Sequence, residues 1–372
     1  MEDAFLQTEG LSVGYGGVPV ITGIDFAAHS GKVLTLIGPN GAGKSTILKT
    51  LIRQLSPVGG TVYLGGRDMA AMPALDMARS TAAVLTGRPA PELMSCGDVV
   101  ATGRYPYTGR LGILSAEDRR IVAESMELVQ VSELRDRDFE RISDGQRQRV
   151  LLARAICQEP KLLIMDEPTS FLDIRHKLDF LHLLRRLVRE KGIAAVLSLH
   201  ELDLAQRFAD TVLCVSGGRV DRVGTPEEIF QGDYVARLYG VEHGGYDALF
   251  GGVECEKVAG TPEVFVIGGG GGGIPVYRKL QRERVPFAAG VLQRSDLDYP
   301  VASALAAELF TVPPFAPVEG PALDAALARA SRCSRVVCAV PAFGPLNEGN
   351  RAILDDARRR GVLEENAAQR FP

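Results

Sequence analysis

No apolar run in these 372 residues approaches the ~20 that a bilayer-crossing helix requires, so any work at a membrane needs another chain to cross it. The opening MEDAFLQTEG is acidic and has no apolar core, which is not the pattern of a signal peptide. Net charge is small, -4, so bulk electrostatics give no case for nucleic acid as a partner. The six cysteines form no CxxC pair, and Cys333 and Cys338 have no His or Cys partner at metal spacing. They read as reduced thiols, with Cys157 and Cys214 as small core residues in apolar contexts. There is no internal repeat, and the one low-complexity tract is six consecutive glycines, Gly268 to Gly273.

What is present is an ordinary globular composition, 46% hydrophobic and 24% charged, and length enough for two domains. Residues 1–246 alternate strands and helices as one continuous pattern. Residues 247–262 are rich in turn signals and read as a linker. Residues 263–372 begin a second rhythm: EVFVI strand, IPVYRKLQRER helix, PFAAGVL strand, VASALAAEL helix, ALDAALARAS helix, RVVCAV strand, NRAILDDARRR helix. Strands alternating with helices predict parallel α/β sheets in both domains.

The first domain carries chemistry in three places. KVLTLIG is a buried strand, followed by GPNGAGKS and then an apolar-periodic helix. That is GxxxxGK[ST] in strand–loop–helix context. Its backbone N–H groups suit phosphate oxygens, Lys44 reaches the β- and γ-phosphates, and the Ser45 hydroxyl suits Mg²⁺. Later, KLLIMDEP is an apolar strand ending in two carboxylates. Asp166 is placed to hold Mg²⁺ and Glu167 to polarise an attacking water. A third strand, AAVLSLH, ends near His200, which can contact a γ-phosphate.

The order of these motifs, with RISDGQRQRVLLARAI between the first two, resembles the ATP-binding subunits of ABC transporters over residues 5–240. The resemblance implies a P-loop NTPase domain of the ABC type with a helical subdomain; the residues after it read separately as a small C-terminal Rossmann-like parallel α/β domain, for which a regulatory use is the expectation. It implies ATP and Mg²⁺ as cofactors. Tyr15 would stack on adenine. Gly38, Pro39, Asn40 and Gly41 would open the phosphate loop, and Ala42, Gly43, Lys44, Ser45 and Thr46 would close it. Ser143, Gly145 and Gln146 would meet the ATP of a second copy in a head-to-tail dimer, with Asp173 at that interface. Glu167 would be the general base and His200 the γ-phosphate switch.

Two departures stand out. The signature reads ISDGQ where the common form is LSGGQ, and Asp144 is expected to point away from phosphate. AAVLTGRP carries Thr86 where the family places Gln, so Thr86 would meet the metal with a shorter reach. GRYPYTG, with Arg104 in it, resembles a segment near the permease contact in importers of iron–siderophore, haem or cobalamin. That reading implies a peripheral protein on the cytoplasmic face of the membrane. Its partners are transmembrane permease subunits and, indirectly, a binding protein. The alternative is an ABC ATPase of another transport class, or of translation or repair.

The six glycines satisfy GxGxxG at Gly268, Gly270 and Gly273, between a strand and a helix. No P-loop Lys follows them, so a second ATPase site is not expected. Three readings stay open for this domain: a sensor with a small-molecule ligand, a docking module, or a fragment in which glycine only permits close packing. The loop PAFGPLNEGN, on the same strand edge, favours a pocket.

Overall fold

A computed structural model describes residues 4–85, 87, 93–109, 111–247 and 250–365, and the chain divides into two compact units, Met1–Tyr239 and Gly240–Pro372.

The first unit is built on one mixed sheet. β1 (Ala4–Tyr15) and β2 (Val18–His29) form a hairpin turned at Gly16 and Gly17, with φ of 56° and 80°. Turns of this hand match the twist of paired strands. β3 (Val33–Ile37) is the first strand of the other half. β4 (Gly59–Leu64) and β5 (Arg67–Asp68) extend the hairpin antiparallel beside β1. β6 (Thr81–Val84), β7 (Leu162–Asp166), β8 (Ala194–Ser198) and β9 (Thr211–Ser216) are parallel in the order β9-β3-β8-β7-β6, and β10 (Arg219–Gly224) joins β9 to β2. The expected all-parallel sheet is therefore half right. A two-residue turn cannot make the crossover that parallel strands need, so β1 and β2 are antiparallel.

Every residue of β3, β7 and β8 is buried, as strands covered on both faces should be. α1 (Lys44–Leu51) follows β3 and α2 (Ala74–Ser80) follows β5. A helical segment lies between β6 and β7: α3 (Cys96–Ala101), α4 (Ala116–Leu128) and α5 (Asp144–Cys157). Each of these three starts at a serine that forms a capping box with the side chain three residues on, Asp98, Asp118 or Gln146, which satisfies two otherwise orphaned donors. α6 (Ile174–Lys191) precedes β8 and α7 (Leu202–Phe208) follows it; α8 (Pro226–Ile229) and α9 (Tyr234–Leu238) close the unit. Cys157 and Cys214 are fully buried, and burial pushes both thiols up to about 11.

Arg104 is not a surface residue. It is 4% exposed and binds Asp118 at 2.9 Å, Glu159 at 2.8 Å and the Cys157 carbonyl at 2.8 Å, with the Tyr107 ring 3.9 Å away. It ties α4 to the end of α5. The Ser115 hydroxyl and N–H, then Arg104, hold the Asp118 carboxyl down at about 2. An unfolded Asp titrates near ~3.9. The contribution of Asp118 is therefore full above that value and is lost as pH falls through about 2. Asp118→Asn should lower the urea midpoint at neutral pH and flatten its decline between about pH 4 and pH 2.

The second unit opens with a hairpin, β11 (Gly245–Asp247) and β12 (Gly252–Glu254), inside the stretch read as domain edge and linker. Glu254 is 6% exposed and bound to Arg278. Next come β13 (Val264–Ile267), α10 (Ile274–Arg282), β14 (Phe287–Gln293) and α11 (Tyr299–Leu305). β15 (Glu308–Val312), α12 (Pro321–Ala330), β16 (Arg335–Cys338), α13 (Asn350–Arg360) and β17 (Leu363–Glu365) complete it. The helix expected over VASALAAEL stops at Leu305, and its last two residues, Glu308 and Leu309, begin β15. Phe310, Thr311 and Val312 favour a strand and pair with β14.

The five strands of this unit's main sheet are all parallel, in the order β15-β14-β13-β16-β17. This is the Rossmann order 3-2-1-4-5, whose switch point lies between β13 and β16. Phe265 and Ile267 pack on the α12/α13 side, while Val264 and Val266 pack with Tyr277 and Leu280 of α10.

Candidate functional site

β3, β7 and β8 are neighbours, so their C-terminal ends deliver the phosphate loop, the acids and His200 to one edge of the sheet. Gly38 and Gly43 leave that loop no room for side chains: a Cβ on Gly38 would strike the Val215 carbonyl, and one on Gly43 the Ile21 side chain. Lys44 is 6% exposed, and its ammonium donates to the carbonyls of Gly38 at 2.6 Å and Pro39 at 3.0 Å. Burial lowers its pKa, while Glu167 and Asp166 pull it back up. The cation and both acids therefore share one field. Tyr15 is half exposed at the end of β1, its hydroxyl 3.4 Å from that of Thr46, so an open aromatic face adjoins the loop.

Asp166 is 5% exposed, and its Oδ1 accepts from the Ser198 hydroxyl at 2.7 Å. The same hydroxyl accepts from the Glu167 N–H at 2.9 Å. Glu167 has φ of 49°, a conformation that L residues rarely adopt. Its carboxylate takes Ser170 Oγ at 3.1 Å on one oxygen and His200 Nε2 on the other.

The other expected residues lie at helix starts. Ser143 caps α5, with Gln146 completing its box, and a Cβ on Gly145 would come 3.0 Å from the His176 ring. Asp173 caps α6, accepting from the N–H of His176 at 2.8 Å. Asp144 turns to Arg147 of its own helix at 3.4 Å. Thr86 lies outside the described residues. Ser198 and Tyr239, whose hydroxyl accepts from the Gly38 N–H at 3.0 Å, were not anticipated. Ser198 stands two residues before His200 in the strand already singled out, which was its one signal in the sequence.

Comparison with known proteins shows which family this chain resembles. The ABC transporter family model matches residues 21–170, and that of the MJ0874 family matches 287–370. The ABC transporter ATP-binding protein MJ0873 of Methanocaldococcus jannaschii is 43% identical over 288 residues, 77% of this chain and 99% of that protein. This chain belongs to the ABC transporter ATP-binding proteins. The cobalamin import ATP-binding protein BtuD of Halobacterium salinarum is 31% identical over 359 residues, 95% of this chain and 89% of its own length. The iron(3+)-hydroxamate import ATP-binding protein FhuC of Bacillus subtilis is 38% identical over 237 residues, 64% of this chain and 88% of its own. Among solved structures, cbiO1 of Clostridium perfringens, part of the ABC transporter complex cbiONQ, superposes with a TM-score of 0.56 at 28% identity, covering 63% of this chain and 94% of that one.

In this ABC ATPase the Ser198 hydroxyl ties the Asp166 carboxylate to the backbone of Glu167. Losing a hydrogen bond to a charged group costs about 1.5–3 kcal/mol, and about 1.4 kcal/mol is tenfold in rate. Ser198→Ala should therefore lower kcat about tenfold or more, with ATP affinity little changed, as steady-state ATPase assays and nucleotide titration would show.

Proposed function

We infer that this chain hydrolyses ATP to power import of a corrinoid of the cobalamin type through a separate permease. The observation that carries the ATPase reading is Glu167 held between His200 and Ser170, beside Asp166 and the buried Lys44. The loop N–H groups and Lys44 bind the β- and γ-phosphates. Glu167 accepts a proton from the attacking water, and His200 orients that carboxylate. Ser45 and Asp166 would hold Mg²⁺. A hydroxyl and a carboxylate are hard oxygen donors, and Mg²⁺ is commonly held by so few protein ligands together with substrate phosphates. When bound, Mg²⁺ neutralises phosphate charge. Among the described residues no cluster of three or more His, Cys, Asp or Glu could hold a metal, which fits a cation shared with the nucleotide.

The dimer reading is supported by exposed Phe171 and Ile174 on either side of Asp173. A permease contact is supported by exposed Tyr105, Leu111 and Ile113 in the helical segment. No helix among the described residues is long and apolar enough to cross a membrane, so a permease would have to do so. Glu167→Gln should keep ATP affinity, lower kcat by about 10²–10⁴ and trap a dimer in ATP, read by nucleotide titration, phosphate release and size exclusion. Normal turnover in that variant would overturn the mechanism.

The cargo reading rests on coverage. The relative named for cobalamin import matches over 95% of this chain, well into the second unit, whereas the one named for iron(3+)-hydroxamate matches over 64%, the share of the ATPase unit alone. The second unit thus accompanies a cobalamin-import name, and its use is regulatory. Deleting the gene in its host should abolish uptake of labelled cobalamin and leave hydroxamate-iron uptake intact; the reverse pattern would reassign the cargo.

A further inference from the structure

The glycine run of the second unit lies where a dinucleotide's pyrophosphate would sit: after β13, before α10, at the switch point of a Rossmann-ordered sheet. In that arrangement the loop N–H groups and the helix N-terminus serve an anion. Here they already have one. Asp298, fully buried, directs Oδ2 to the N–H groups of Gly269 at 2.6 Å and Gly273 at 2.8 Å, and Oδ1 to that of Ile274 at 3.3 Å. Asp296 takes the Gly270 N–H on both oxygens at 3.1 Å and accepts from the Asp298 N–H at 2.8 Å.

The glycines serve this closure. A Cβ on Gly268 or Gly273 would collide with the Tyr277 hydroxyl, and one on Gly272 with the Ala339 carbonyl. Tyr277 is fully buried, stacked on Phe287, and its hydroxyl has no hydrogen-bond partner. It points at the place where Asp298 enters: a Cβ on Gly273 would meet both groups at once. The loop after β16 is also turned on itself. Asn347 bonds Gly344 N and Ala342 O, and fully buried Asn350 bonds both Val291 N and Val291 O.

We propose that Asp298 is the resident anion of this loop, standing where a phosphate would stand, so that the second unit closes its own fingerprint and takes no dinucleotide. Burial lifts the Asp298 carboxyl above its ordinary value, and the N–H groups of Gly273 and Gly269 oppose that rise. The cluster is also crowded with acceptors. An arriving pyrophosphate would meet Asp296 and Asp298, two carboxylates already holding the donors it needs.

The test is made on the full chain with ¹⁵N-glycine labelling. In the wild type, NAD⁺ and inorganic pyrophosphate at millimolar concentration should leave the amides of Gly269, Gly270 and Gly273 unshifted, whatever happens at the ATPase loop. Asp298→Ala should lower the melting temperature of the second unit by several degrees. Formate should restore it saturably by entering the vacated place, while chloride at equal ionic strength should not. Should Asp298→Ala fail to fold, Asp298→Asn serves in its stead: exchange of the Gly269 and Gly273 amides should speed up about tenfold. A saturable shift of the wild-type loop amides with either probe would overturn the proposal. So would an Asp298→Ala protein of unchanged melting temperature and no formate dependence, or unchanged exchange in Asp298→Asn.

Discussion

The register of β7 against β8 sets Asp166 opposite Ser198, and one hydroxyl then bridges the strand end to the start of the following loop. Glu167 leaves the strand at positive φ, which carries strain of order 1–3 kcal/mol for a non-glycine residue. Such a conformation persists when its surroundings over-determine it. Ser198 fixes the Glu167 N–H, while Ser170 and His200 fix its two carboxylate oxygens. Glu167, the proposed general base, is thus held at three points by the end of β8 and the loops after β7 and β8. The phosphate loop on β3 lies beside them because β3 and β8 are also adjacent and parallel.

The two glycine loops of this chain show how one backbone pattern takes opposite uses. Both follow a buried strand and precede a helix, and both contain glycines at positive φ. The difference is the sign of the charge supplied from within. Lys44 brings a cation whose partners are loop carbonyls, so the charge it adds favours an outside anion. Asp298 and Asp296 bring anions whose partners are loop N–H groups, which uses the donors from inside. A glycine pattern alone does not distinguish these cases. The residue following the first loop, and the turn some 25 positions after the second, do.

Much of this was readable in advance, for reasons that differ residue by residue. β3, β7 and β8 announce themselves as apolar runs because they are buried on both faces. β15 was missed because Ala and Leu continue from α11 into a strand whose pairing with β14 is not local. The burial of Arg104 was not legible, because its partners, Asp118 and Glu159, are 14 and 55 positions away. Tyr239 could not be found at all: it lies 201 positions from Gly38 and belongs to no motif. Asp296 and Asp298 fall in the turn after β14, more than 20 positions beyond the glycines, and only the fold turns them back into the loop.

The buried arginine also bears on how the site could act at a distance. α5 is capped by Ser143, which is proposed to meet a second copy's nucleotide, and ends at Cys157, whose carbonyl Arg104 holds. Fourteen helical residues span about 21 Å. Arg104 then binds Asp118 on α4, and exposed Tyr105, Leu111 and Ile113 lie in the chain between these two residues. A hinge at this joint would absorb a displacement of α5. A buried cation bonded to two helices and stacked on Tyr107 resists that, because breaking it leaves an uncompensated charge inside. Such a joint would link the start of α5 to the apolar surface beyond Arg104, which is what the proposed coupling of hydrolysis to a separate permease requires.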